Sequence, residues 1–182
     1  MFLSRLGGIQ NPPLVSLYKV NFDAAWAKDH NEVEIEVVIH DHTCDFYAGL
    51  SKNDCKVSSA EAAKLVAALE AINFAVDAGF RNILLEGDNL GVINAIREDG
   101  LDSRGAIVVD IIRASLFCNS LQFSFVKRDE NSLAYSLAKF ARFISDFIVW
   151  LEDPPDWLNV VLFRDIPFSH GMNCLCFFFF KK

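Results

Sequence analysis

At 182 residues with 52% apolar side chains, the chain is long enough to bury one sizeable core and is best read as one domain. A formal net charge of -7 excludes a surface coated with positive charge for nonspecific nucleic-acid binding, while leaving room for a local basic strip. The five cysteines, Cys44, Cys55, Cys118, Cys174 and Cys176, are odd in number and form no CxxC pair. With no signal-peptide pattern ahead of them, they point to a reducing intracellular compartment, nucleus or cytoplasm. No apolar run approaches the roughly 20 residues of a membrane span.

Tyr18, Val20 and Phe22 alternate with Lys19, Asn21 and Asp23, which is the period of a half-buried strand over 18–26. Asp23 then lies on the face opposite Tyr18. Val33, Ile35 and Val37 alternate with Glu32, Glu34 and Glu36 and predict a second strand over 33–39, its acidic row a solvated face that would repel a passing phosphate backbone. His40-Asp41-His42-Thr43 reads as a turn into a third strand over 44–50. Three consecutive strands imply an antiparallel meander.

A helix follows over 59–78, with Leu65, Leu69, Ile72 and Val76 as its apolar stripe and Gly79 as its stop signal. Next come a strand over 82–85, helices over 90–97 and 104–119, a strand over 121–126, and a last helix over 132–145. The order β-β-β-α-β-α-α-β-α specifies an α/β fold, a mixed five-stranded sheet with helices on both faces, because each crossover between parallel strands lays a helix on the sheet. The tail from Cys174 to Phe180 has neither strand nor helix periodicity and belongs outside the fold, read first as a sticky disordered end and only second as a short membrane-surface anchor.

Asp23 on the first strand, Glu61 in the first turn of the long helix and Asp88 at the end of the fourth strand come from separate segments. Ligands in open sheets collect at strand ends where the chain order reverses, so these carboxylates can converge. Clustered like charges need cations, and hard oxygen donors suit magnesium or manganese. The chemistry this favours is two-metal phosphoryl hydrolysis. Each acid also has a plainer role. Ser58 with Glu61 fits the S-x-x-E capping box, and Asp88 or Asn89 fits the N-cap of the next helix. Asp23 has the weakest such alternative, since Asp is depleted in strand interiors.

His40-Asp41-His42 lacks further ligands and is better read as a solvated turn than as a metal pair. Cys174 and Cys176 make no zinc spacing without partners. Lys127 and Arg128, with Arg81, Lys52 and Lys56, are either phosphate contacts or scattered surface charge.

The stretches Lys19-Val20-Asn21-Phe22-Asp23-Ala24-Ala25-Trp26, Ala60-Glu61-Ala62, Ala75-Val76-Asp77-Ala78-Gly79-Phe80, Leu85-Glu86-Gly87-Asp88-Asn89, and Val126-Lys127-Arg128-Asp129-Glu130-Asn131 through Leu137-Ala138 resemble the ribonuclease H-like domain of plant proteins, related to the ribonuclease H part of retroelement reverse transcriptases. Their order over 18–143 carries the resemblance, and Trp150-Leu151-Glu152-Asp153-Pro154-Pro155 is similar to the ending common in that group. The resemblance implies the ribonuclease H-like fold and metal-dependent endonucleolytic hydrolysis of RNA in RNA–DNA hybrids. It divides the chain into an extension over 1–13, the domain over 14–153, and a C-terminal extension over 154–182, poorly ordered beyond about 170.

Carried over residue by residue, the resemblance makes Asp23, Glu61 and Asp88 catalytic and metal-binding carboxylates for Mg²⁺ or Mn²⁺, two ions in an active enzyme, and leaves Glu86 outside the ligand set. Lys127, Arg128 and Asn131 become nucleic-acid contacts. The fourth acid of the family pattern falls at Tyr135, a poor magnesium ligand that would crowd the site. The three retained acids favour a hydrolase acting on RNA–DNA hybrids. Tyr135 favours the alternative, a catalytically impaired nucleic-acid-binding or interaction module derived from a retroelement ribonuclease H.

Overall fold

The alternations of Tyr18 to Trp26 and of Glu32 to Ile39 form β1 (Tyr18–Ala27) and β2 (Glu32–His40), followed by β3 (Phe46–Asp54), α1 (Ala60–Asp77), β4 (Asn82–Gly87), α2 (Leu90–Arg97), α3 (Ala106–Ser115), β5 (Ser120–Phe125) and β6 (Phe147–Leu151). The structure is a computed structural model, and it describes residues 17–27, 32–43, 45–54, 57–97, 105–128, 131 and 147–154. The expected last helix with Tyr135, both terminal extensions, and Cys44, Cys55, Cys174 and Cys176 lie outside the described residues.

The strands form one mixed sheet in the order β5-β4-β1-β2-β3-β6. The meander is antiparallel, Asp23 facing Glu36 and Val37 facing Leu50, while β4 runs parallel to β1 and β5 parallel to β4. Parallel neighbours require crossovers, and α1, then α2 with α3, supply them. The sheet has six strands among the described residues where the sequence predicts five. The addition is β6, which pairs antiparallel with β3 from Ala48↔Leu151 to Lys52↔Phe147.

Val20, Phe22, Ile35, Val37, Ile39, Ile83 and Leu85 share a core with Ala63, Ala67, Ile72, Val92, Ile93 and Ile111, so the three described helices cover one face of the sheet. On α1 the fully buried residues are mainly alanines, Ala63, Ala67, Ala68, Ala71 and Ala75, with Ile72. The expected stripe residues Leu65, Leu69 and Val76 flank that seam as partly buried side chains. Small side chains let a helix lie close to the sheet, so the seam forms where the methyl groups are, and larger residues pack at its margins.

Both ends of α1 are sealed. Ser59 is the N-cap, its Oγ accepting from Ala62 N at 3.1 Å, one residue later than the expected Ser58 box. At the other end Gly79 takes φ +90°, Phe80 N donates to Ala75 O at 2.8 Å and Gly79 N to Val76 O at 3.1 Å. This is a Schellman closure, which favours glycine at the left-handed position. Phe80 then packs its ring on Tyr18 and Tyr47, with centroids 4.7 and 5.8 Å away. In the β2–β3 turn, Asp41 Oδ1 accepts from Thr43 N at 2.8 Å and Asp45 N at 3.0 Å, so the carboxylate between the two histidines closes a turn.

Candidate active site at the ends of the central strands

Asp23 lies near the middle of the sheet, flanked by β2 and β4, and is only 4% exposed. The β1–β4 register pairs Asn21 with Glu86, and continuing it by two residues brings Asp88 alongside Asp23. Two local features make that approach workable. Gly87 passes over the Phe22 ring so closely that a Cβ there would sit 2.5 Å from a ring carbon, so glycine is required at this point. Asn89, and not Asp88, caps α2, its Oδ1 accepting from Val92 N at 3.1 Å. Asp88 is therefore left available to the site.

A third element closes it. Lys64, one turn into α1, places its Nζ against Asp23 Oδ1 and 2.7 Å from Asp88 Oδ1, and the lysine side chain is 13% exposed. Arg128 adds a more distant positive charge, its Nε 3.8 Å from Asp88 Oδ2. Glu61 also belongs to the first turn of α1 but is exposed. The structure thus brings Asp23 and Asp88 together, and no group of three His, Cys, Asp or Glu side chains suited to a metal occurs among the described residues.

Glu36, directly opposite Asp23 on β2, is fully buried, and both of its oxygens lack a hydrogen-bond partner among the described residues. Burial, with the negative charges of Asp23 and Glu34 adding to it and Lys64 opposing, pushes its carboxyl up to about 9. The neutral acid is the form a buried site tolerates. This corrects the solvated face expected for Glu32, Glu34 and Glu36: Glu32 is exposed, Glu34 half-buried and Glu36 buried, because toward the middle of the sheet this face, shared with the buried Asp23, is closed off from solvent.

Next to the acids is a buried polar network. Asn21 Nδ2 donates to Glu86 Oε2 at 3.3 Å and to Asn131 Oδ1 at 3.1 Å, and Asn131 Nδ2 donates to Phe22 O at 3.0 Å. His40 Nε2 lies 2.9 Å from Asn21 Oδ1, and burial first of all holds its imidazole below the usual value. Asn131 is 1% exposed, and its amide ties this residue to β1 from inside the fold. Lys127 and Arg128 are on the surface. Glu86 is engaged by Asn21 and by Lys19, 3.8 Å away, and takes no part in the acid pair. Of the other basic residues, Lys52 pairs with Glu70 at 3.2 Å and Arg81 Nη1 donates to Phe117 O at 3.3 Å.

Sequence reasoning finds Asp23 and Asp88 but misses Lys64 and Glu36. The available signal for Lys64 is its spacing: it lies three residues after Glu61, on the same side of α1. Chemically, two hard carboxylate donors, one on β1 and one just past the end of β4, turn one oxygen each toward the Lys64 ammonium. That donor set fits magnesium or manganese.

A mixed sheet in the order β5-β4-β1-β2-β3-β6, with crossover helices between its parallel strands, is the ribonuclease H-like fold. Solved structures of this class resemble it. Ribonuclease H1 from the halophilic archaeon Halobacterium salinarum NRC-1 matches at 21% identity and a TM-score of 0.61, over 69% of this chain and 97% of that one. The N-terminal ribonuclease H domain of rv2228c from Mycobacterium tuberculosis matches at 13% identity and a TM-score of 0.61, over 69% and 93%. LC11-RNase H1, isolated from compost by a metagenomic approach, matches at 15% identity and a TM-score of 0.58, over 69% and 95%. No curated protein sequence matches significantly. The reverse transcriptase-like family model matches residues 21–141, and the chain belongs to that family. No helix among the described residues is long and apolar enough to cross a membrane.

Proposed function

We propose that this domain binds RNA–DNA hybrids and hydrolyses their RNA strand with magnesium or manganese. The observation that carries this reading is the convergence of Asp23 and Asp88 on one cation position. These two carboxylates would hold the ion, and Glu61, exposed in the first turn of the helix that lies over them, would have to turn inward to serve as a third donor. The bound ion supplies an activated water and neutralises charge on the phosphate under attack. The protein's own groups do the rest. Glu36 backs Asp23 as an uncharged carboxyl, so a phosphate meets less negative charge than the sequence suggests. The Asn21–Asn131 network holds β1 in register at the site, and Lys127 and Arg128 offer positive charge to the backbone of the duplex.

The test is cleavage of a labelled RNA–DNA hybrid in Mg²⁺ or Mn²⁺, compared with duplex DNA and duplex RNA, with Asp88→Asn as the control. Cleavage of the hybrid by wild type alone is the expected result. Tight binding without cleavage would make the domain a nucleic-acid-binding module descended from a ribonuclease H; neither binding nor cleavage would remove the reading.

A further inference from the structure

Lys64 is the one member of the acid centre that hydrolysis does not call for. Its ammonium contacts a carboxylate oxygen on each of two strands, at a point only 13% exposed on the lysine side and 6% and 9% exposed on the Asp23 and Asp88 sides. Charges this far from solvent are weakly screened by salt. A lysine on a surface helix ordinarily leaves its head in water. Here the head is turned inward, and the oxygens it contacts are the same ones a divalent ion would need.

We propose that Lys64 is a built-in competitor for the divalent ion: its ammonium occupies the cation position between Asp23 and Asp88, and metal enters only when the lysine head leaves. The inference rests on the reading of Asp23 and Asp88 as a metal-binding pair. Its consequences are distinct from that reading. The acid pair is neutralised without metal, so the fold tolerates metal-free conditions, and the site takes up metal with an affinity set by exchange against an internal charge. A departing Nζ remains tethered beside the site by its four-carbon stem, where a backbone phosphate is its natural new partner.

The test is Mn²⁺ binding by calorimetry to full-length wild type, Lys64→Gln and Lys64→Gln with Asp23→Asn, with Lys64→Ala made in parallel as a second way to remove the charge. Either single variant should bind Mn²⁺ at least about tenfold more tightly than wild type, roughly 1.4 kcal/mol, and adding Asp23→Asn should abolish that gain. In chelator each single variant should melt below wild type, since the two acids are then unopposed, and Mn²⁺ should reverse the loss. Equal Mn²⁺ affinity in wild type and the lysine variants overturns the competitor and leaves the metal pair standing. No Mn²⁺ binding in any of them overturns both.

Discussion

Asp23 and Glu36 face each other across the β1–β2 ladder, two acids on adjacent strands at the centre of the sheet, and the second is kept protonated by burial. The unfolded chain releases the Glu36 proton near 4.5, while the fold retains it to about 9. Through that window the folded state binds more protons, so this group's contribution to stability is greatest below 4.5 and declines as pH rises toward 9. The slope is at most about 1.4 kcal/mol per pH unit. Glu36→Gln keeps the shape and removes the proton. Its melting temperature relative to wild type should climb steadily from about pH 5 to about pH 8.5, and a difference that stays flat would mean Glu36 is charged in the fold.

Gly87 and Phe22 make a second close pair. Because a Cβ at residue 87 would lie 2.5 Å from one carbon of the buried Phe22 ring and 2.7 Å from another, Gly87→Ala should cost roughly 1–3 kcal/mol. Adding Phe22→Leu should make the two changes less costly together than their sum, since they share one contact. Urea titration of the four proteins gives the coupling directly.

Asn131 and its neighbours Lys127 and Arg128 should separate cleanly. Asn131→Ala removes the side-chain donor to Phe22 O and one of the two acceptors of the Asn21 amide and should destabilise the domain by roughly 2–3 kcal/mol. Lys127→Ala and Arg128→Ala should leave the melt nearly unchanged, weaken hybrid binding, and each lower the slope of log affinity against log salt by about one. Hybrid affinity that falls for folded Asn131→Ala with the same loss of salt slope would put that residue on the nucleic acid.

At residue 135 the family pattern carries an acid where this chain has tyrosine. Tyr135→Asp should raise single-turnover hybrid cleavage at least about tenfold, about 1.4 kcal/mol of transition-state stabilisation, with little change in binding. Equal rates for wild type and Tyr135→Asp, both well above Asp88→Asn, would show that another group already serves in the acid's place.

The strands were legible because alternation survives in the sequence even where the fold is crowded. The 18–26 and 33–39 readings fall within β1 and β2, and 90–97 coincides with α2. Asp23 and Asp88 were legible by position, since strand ends next to a crossover collect ligands. Alternation tells which residues share a face and is silent on what covers it, so Glu36 read as solvated. Periodicity weighted by bulk picked Leu65 and Leu69 over the alanines that form the buried seam of α1. Lys64 does not stand out in the sequence because its partners are 41 and 24 residues away. Phe147 to Leu151 was not legible as a strand because five apolar residues in a row have no polar alternation to mark one, and Trp150 and Leu151 were read only as the start of a family-like ending.

That fifth-to-sixth strand difference governs how the domain behaves when cut. The family match stops at residue 141, short of β6, and a fragment trimmed there strips the partners of Ala48 through Lys52 on β3. A long edge with unpaired amides and carbonyls beside buried Ala48 and Leu50 is a template for adding a strand from another molecule. The trimmed protein should therefore aggregate while the chain retaining residues 147–151 remains discrete, which makes β6 a shield against self-association that the chemistry of the site does not require.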